Sequence, residues 1–149
     1  MSVWFRCLSS SAPLATILLR LSVGLVFLSE GIQKFLFPAA LGVGRFMKIG
    51  IPAPEILAPF VGVFEIVCGL LVLLGLLTRW AAVPLIVNML VAIATTKIPI
   101  LLKSGFWAMA HESRTDFAML LGSLFLLIVG AGAWSVDARL GRTARKDNA

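Results

Sequence analysis

The sequence predicts an all-α integral membrane protein, a bundle of four antiparallel transmembrane helices with both termini on the cytoplasmic side. Three observations predict it. Hydrophobic residues make up 60% of the 149-residue chain and charged residues only 13%, far from the composition of an ordinary soluble domain. Four stretches, 14–37, 56–77, 80–102 and 116–134, reach the length of about 20 apolar residues that crosses a bilayer. Several of these stretches contain charges: Arg20, Glu30 and Lys34 in the first, and Glu65 near the middle of the second. Charged side chains are expensive in hydrocarbon, so they turn toward a partner, a cavity or the bundle interior. Simple anchors do not have such a pattern. The length and the mean hydropathy of +1.02 fit a single membrane domain over 1–149.

The lead, residues 1–13, ends in Ser9, Ser10, Ser11 and Pro13. Ser11 is placed to cap the first helix, with Pro13 in its first turn. Arg6 resembles the basic start of a signal peptide. However, the nearest small-x-small match, Ser22-Val23-Gly24, lies inside a continuing apolar run. An uncleaved first span is therefore expected.

The first connection, 38–55, is the longest. Gly42, Gly44, Gly50, Pro52 and Pro54 break it up, and 45–49 within it is amphipathic enough to lie in the interface. Thr78 and Arg79 alone separate the second and third stretches, which predicts a tight hairpin. The last connection, 103–115, offers Phe106 and Trp107 as interface anchors.

The net charge is +6 and the pI about 10.2. The cations are spread around the spans, which excludes nucleic acid as the explanation. The basic tail, 138–149, contains Arg139, Arg142, Arg145 and Lys146. Such a cluster belongs on the cytoplasmic side, near anionic lipid. Arg6 and Arg79 then lie inside, and Arg45, Lys48, Lys103 and Arg114 outside. The location expected is the bacterial cytoplasmic (inner) membrane, multi-pass.

Helical periodicity, about 100° per residue, groups the polar and small residues on one face of each span. Arg20, Gly24, Phe27, Gly31 and Lys34 form a stripe with Glu30 at its edge. Gly62, Glu65, Gly69 and Val72 form a second. Pro84, Asn88, Ala92, Thr95 and Pro99 form a third, and Asp116, Leu120, Ser123 and Gly130 a fourth. Small residues allow close helix packing and polar ones need partners across it, so all four faces turn inward. Lys97 falls opposite Asn88 and is expected to snorkel to the outer interface.

The expected site is a ligand pocket between the outer surface and the membrane centre. Glu65 and Arg20 are its candidate catalytic pair, with Arg20 reaching toward Glu65. Lys34, Glu30, Asn88 and Asp116 are its candidate ligand-binding residues. Lys34 and Asp116 guard the mouth, Arg20 and Asn88 form the floor, and the glycine faces of the first two helices form the walls. Glu30 and Lys34 have the i, i+4 order of an intrahelical ion pair. Asp116 is also placed to cap the fourth helix or complement its dipole. His111 is the only histidine, so no metal site is expected. Cys7 and Cys68 form no Cys-x-x-Cys motif, and Cys68 reads as a packing residue. No dinucleotide or flavin fingerprint is present, and no covalent cofactor is expected.

Several elements in order resemble the DoxX family of small four-helix membrane proteins. They are Arg20-Leu21 with Gly24 and Phe27, then Glu30-Gly31-Ile32-Gln33-Lys34-Phe35 and Gly50-Ile51-Pro52-Ala53-Pro54. Glu65, Gly69 and Gly75-Leu76-Leu77-Thr78-Arg79 follow, then Asp116-Phe117-Ala118 and Trp134-Ser135-Val136-Asp137. Together they cover roughly 14–140. Many family members have His where this chain has Glu30, and Glu where it has Asp116. Glu112, one turn earlier, is placed to share the latter role.

The resemblance implies membrane redox work. Some members look like the membrane subunit of a thiosulfate:quinone oxidoreductase, and others are linked to thiol and oxidative-stress assemblies. It implies an oxidoreductase partner subunit and a membrane quinone as ligand, with homo-oligomerisation as a further expectation. Glu65 would exchange protons with such a ligand; alternatively Arg20 and Lys34 receive an anionic substrate. The competing reading is a non-catalytic scaffold or small-solute permeation bundle, in which the buried charges only satisfy one another. Polar contacts in membrane bundles are often worth only about 0.6 kcal/mol, so they can exist without function.

Overall fold

The computed structural model describes residues 14–146, with side chains to 141. Ser11, Pro13 and Cys7 lie outside the described residues, as does the end of the basic tail. Among the described residues every regular element is helical: α1 (Thr16–Leu36), α2 (Val43–Lys48), α3 (Pro54–Leu74), α4 (Thr78–Ala92), α5 (Ile98–Ser104), α6 (Phe106–Val129) and α7 (Val136–Lys146). A wide π-helical turn, Ile93–Lys97, joins α4 to α5 without a break. Three helices are long and apolar enough to cross a membrane: Thr16–Leu36, Pro54–Leu74 and Thr78–Ser104. The fourth long helix, α6, spends its first half on polar residues, including His111, Glu112, Arg114 and Asp116.

The four long helices form a ring in the order α1, α3, α4, α6, with α6 closing on α1. Their shared core contains Val23 and Phe27, Cys68 and Val72, Ala81 and Leu85, and Met119 and Leu126. Much of the remaining apolar surface faces outward, as in Leu18, Ile56, Leu102 and Ile128. That inversion suits a chain whose outer solvent is hydrocarbon.

The closest pair is α1 with α3, and glycine sets it. A Cβ on Gly31 would lie 2.7 Å from the Gly62 carbonyl oxygen, and one on Gly69 would lie 3.0 Å from that of Gly24. Two antiparallel glycine pairs, seven residues apart on each helix, therefore let the backbones touch. The glycine faces were expected to wall a pocket. They instead press against each other, because contact between bare backbones leaves no room between them.

Helix ends differ from the sequence reading in consistent ways. The hairpin between α3 and α4 occupies 75–77 rather than Thr78 and Arg79. Gly75 (φ 67°) ends α3, and Leu77 (φ 49°) turns the chain into α4. The last connection shrinks to Gly105 (φ 81°), and 106–115 is helical. Charged residues made this stretch look like a loop, yet a helix can expose them on its outer turns. At the far end α6 stops at Gly130 (φ 88°) rather than at 134.

The π turn produces the largest change of register. The Ile98 N–H bonds to the Ile93 carbonyl, five residues back. Thr95 and Thr96 donate their hydroxyls to the carbonyls of Val91 and Ala92, at 2.8 and 2.6 Å. Pro99 follows directly, and its ring would crowd the Thr95 carbonyl in a regular helix. One extra residue in the turn brings Lys97 to about 80° from Asn88 instead of opposite it. Lys97 therefore does not snorkel: it is buried and faces the bundle.

Candidate functional site

A cavity of about 520 Å³ opens between α1, α3, α4, the π turn and α6, with α2 packed over it. Its lining is mainly apolar and includes Phe27, Phe46, Phe60, Met89 and Met119. Glu30, Lys34, Glu65, Asn88, Lys97, Glu112 and Asp116 supply its polar groups, together with Arg45 and three threonines. Five of the six residues expected at the site from sequence are therefore brought together, and Arg20 is not.

At one end Glu65 is the hub. Lys34 Nζ donates to Glu65 Oε2 at 2.5 Å, and Asn88 Nδ2 donates to Oε1 at 2.6 Å. The two donors come from α1 and α4, so the carboxylate on α3 ties three helices together. The Glu65 side chain is 4% exposed and that of Lys34 11%. Lys34 lies on the inward stripe of α1, and Asn88 lies on α4, the next helix round the ring from α3. Glu30 was expected to pair with Lys34. It does not: Glu65 takes the ammonium, and Glu30 is exposed, lines the cavity and makes no hydrogen bond or ion pair.

Elsewhere on the cavity wall, Lys97 Nζ meets Asp116 Oδ2 at 3.0 Å. Asp116 is mid-helix, because α6 begins ten residues earlier than expected, so it caps nothing. Lys97 was missed as a site residue because the π turn that aims it inward leaves no mark in the 100° periodicity. The Thr95-Thr96 pair before Pro99 is the one sequence signal that the turn offers.

Arg20 belongs to a different cluster. Its Nε donates to the Val72 carbonyl at 3.0 Å and Nη2 to that of Leu73 at 2.5 Å. Nη1 donates to the carbonyls of Ala131 and Trp134 at 3.2 and 2.6 Å. The guanidinium thus bonds to carbonyls at the end of α3 and in the turn after α6, of which that of Val72 also accepts the Gly75 N–H. Gly75 makes room for it, since a Cβ there would lie 2.6 Å from Arg20 Cζ. No Arg20–Glu65 pair forms. The carbonyls at 72 and 73 lie two turns nearer the end of α3 and offer a denser set of acceptors.

Beside Arg20, the buried Asp137 accepts from the Leu77 N–H at 2.8 Å and the Thr78 N–H at 3.2 Å. It holds Leu77 in its left-handed conformation and caps α4. Arg79 donates to the Ile128 carbonyl at 3.1 Å, at the end of α6. Asp137 was quoted from sequence only as part of a closing motif, and its capping role shows once the two ends meet.

A metal centre has no counterpart among the described residues, where no group of three or more His, Cys, Asp or Glu is gathered. Cys68 is buried and free, in the core.

The DoxX family model matches residues 15–98, more than half of the chain and the part that contains Arg20, Glu30, Lys34, Glu65, Asn88 and Lys97. The chain belongs to the DoxX family. A relative from Mycobacterium tuberculosis (strain ATCC 25618 / H37Rv), described as "Uncharacterized membrane protein Rv3486", is 56% identical over 147 residues. That match covers 95% of this DoxX chain and 90% of the relative. A second relative, "Putative oxidoreductase CatD" from Bacillus subtilis (strain 168), is 30% identical over 131 residues, covering 87% of this chain and 90% of the relative. No solved structure matches. With several apolar helices and a relative named as a membrane protein, this DoxX protein is a multi-pass membrane protein.

Proposed function

We propose that this DoxX protein is the membrane subunit of a quinone-linked oxidoreductase, and that its cavity holds the quinone headgroup. One observation supports the reading above others: the Lys34–Glu65–Asn88 network sits on the wall of a largely apolar cavity. A quinone needs an apolar slot for its ring and donors for its oxygens. Lys34 and Asn88 are such donors, and Glu65 supplies a carboxyl that can exchange a proton. In this reading the electrons come from a partner subunit. The relative named as an oxidoreductase agrees with this class of chemistry.

The same reading places the protein in the bacterial cytoplasmic membrane with four spans and both termini inside. At 24 residues, α6 is about 36 Å long, more than the roughly 30 Å of the hydrocarbon core. The basic residues of 138–149 favour the inner side for the tail.

A second reading, a non-catalytic scaffold or permeation bundle, draws on a specific observation. Both Glu65 oxygens already have a donor, so the network is satisfied without any ligand. Purification in mild detergent followed by solvent extraction separates the two readings. Wild-type protein is expected to retain a quinone in near-stoichiometric amount, and Glu65→Gln, which keeps the shape and hydrogen bonding but not the ionisable proton, to stay folded with quinone-coupled turnover slowed or abolished. Wild-type protein free of quinone and unable to take it up supports the scaffold.

A further inference from the structure

Each ion pair on the cavity wall has a second acid one helical turn from one of its members. Lys34 bonds to Glu65 across the α1–α3 interface, and Glu30 lies one turn earlier on its own helix. Lys97 bonds to Asp116, and Glu112 lies one turn earlier on α6. Both spare acids line the cavity, and neither makes a hydrogen bond or ion pair. A lone carboxylate beside hydrocarbon is costly, and a purely structural ion pair has no use for a second one.

Glu65 as observed is poorly placed to engage a ligand. Each of its oxygens already holds a short bond, and the side chain is almost fully covered. One donor has to withdraw first. Asn88 makes no other hydrogen bond, so its withdrawal leaves its amide without a partner. Lys34 does have another acceptor. Glu30 stands at i−4, the favourable order for an acid and a lysine on one helix. A side-chain rotation moves the ammonium from one carboxylate to the other with no net loss of ion pairing.

We propose that Glu30 is the exchange partner of Lys34: ligand entry moves the Lys34 ammonium from Glu65 to Glu30 and frees Glu65 Oε2 to accept a hydrogen bond from a hydroxyl of the ligand. The ligand class follows from what Lys34 leaves behind. A buried carboxylate that loses its donor needs another, or the penalty of an unsatisfied group remains. A ring bearing a hydroxyl supplies that donor, as the reduced quinol form of the proposed ligand does; the oxidised quinone, with acceptors only, does not. Glu30 is then a positioning residue. The proposal rests on the quinone reading for its ligand, but the lysine exchange stands apart from it.

Two measurements on the full-length protein in detergent test it. The first is thermal melting without ligand of the wild type, Glu30→Gln, Glu65→Gln and the double variant. Each single change is expected to lower Tm little, because Lys34 keeps one acid. The double variant strands Lys34 and is expected to lose more than the sum of the singles, with Glu30→Asp combined with Glu65→Gln restoring much of that loss. Additive losses overturn the exchange. The second is binding of 1-naphthol, with 1-methoxynaphthalene as the control lacking a donor. The wild type is expected to prefer the naphthol, and Glu30→Gln to bind it about tenfold more weakly at nearly unchanged Tm. Unchanged affinity in Glu30→Gln overturns the exchange as the route of entry. A wild type that binds neither compound, beside non-additive melts, removes the quinol and leaves the exchange.

Discussion

The two polar regions of this bundle begin from the same kind of residue and end in opposite roles. At the end where α3, α4 and α6 turn, Arg20 is buried and all of its bonds go to backbone carbonyls, while Asp137 accepts two backbone N–H groups. Arg20 does not line the 520 Å³ cavity, and the open groove at its own end, lined by Leu74, Trp134 and Ser135, does not include it either. Around the cavity, by contrast, Lys34, Glu65, Asn88, Lys97 and Asp116 bond to other side chains and border space. Backbone acceptors are fixed by the fold, so a charge spent on them locks helix ends. Side-chain partners can rotate and be exchanged. A charge inside an apolar helix thus locks the architecture when its acceptors are backbone carbonyls, and stays exchangeable when its partners are side chains.

The sharpest way to break this comparison is to remove the lock. Arg20→Met removes the donor to the carbonyls of Leu73, Ala131 and Trp134 and leaves that of Val72 with the Gly75 N–H alone. Hydrogen bonds to charged groups are worth about 1.5–3 kcal/mol each, so the loss is expected to reach about 3–5 kcal/mol. Thermal melting in detergent checks it, and a change below about 1 kcal/mol would move Arg20 out of the architectural class. Asp137→Ala is expected to cost less, about 1–2 kcal/mol for a lost helix cap. The effect should localise to the α3–α4 hairpin as faster amide exchange at Leu77 and Thr78. Uniform exchange across the bundle would mean that Asp137 acts on more than the turn.

Much of this architecture was legible in the sequence. The apolar runs located all four long helices, and the stripe through Gly24 and Gly31 identified the face that meets Gly62 and Gly69. Lys34, Glu65, Asn88, Glu30 and Asp116 line one cavity, a grouping that periodicity and helical rise suggest from sequence. Partner choice was not legible. Arg20 bonds to carbonyls, which every residue has, so nothing in the sequence marks 72, 73, 131 and 134 as its acceptors. Lys97 was placed on the wrong face because a π turn shifts the phase without changing composition. The first half of α6 was read as a loop, since His111, Glu112 and Arg114 resemble a polar connection when only hydropathy is weighed. Asp137 sits just beyond the last long helix, and its role depends on a hairpin sixty residues away in sequence.

The most direct measurement of the central claim sets the two regions side by side: the rise in Tm that 1-naphthol produces in the wild type, Arg20→Lys and Glu65→Gln. A ligand at one hundred times its Kd stabilises by about 2.7 kcal/mol, well within the range of a melting experiment. Arg20→Lys is expected to melt lower than the wild type and still show the full ligand-induced rise. Glu65→Gln is expected to melt close to the wild type and show a much smaller rise, since a neutral amide oxygen accepts the hydroxyl more weakly than a carboxylate. A full ligand response in Glu65→Gln, or its loss in a folded Arg20→Lys, would contradict the division of labour between the two clusters.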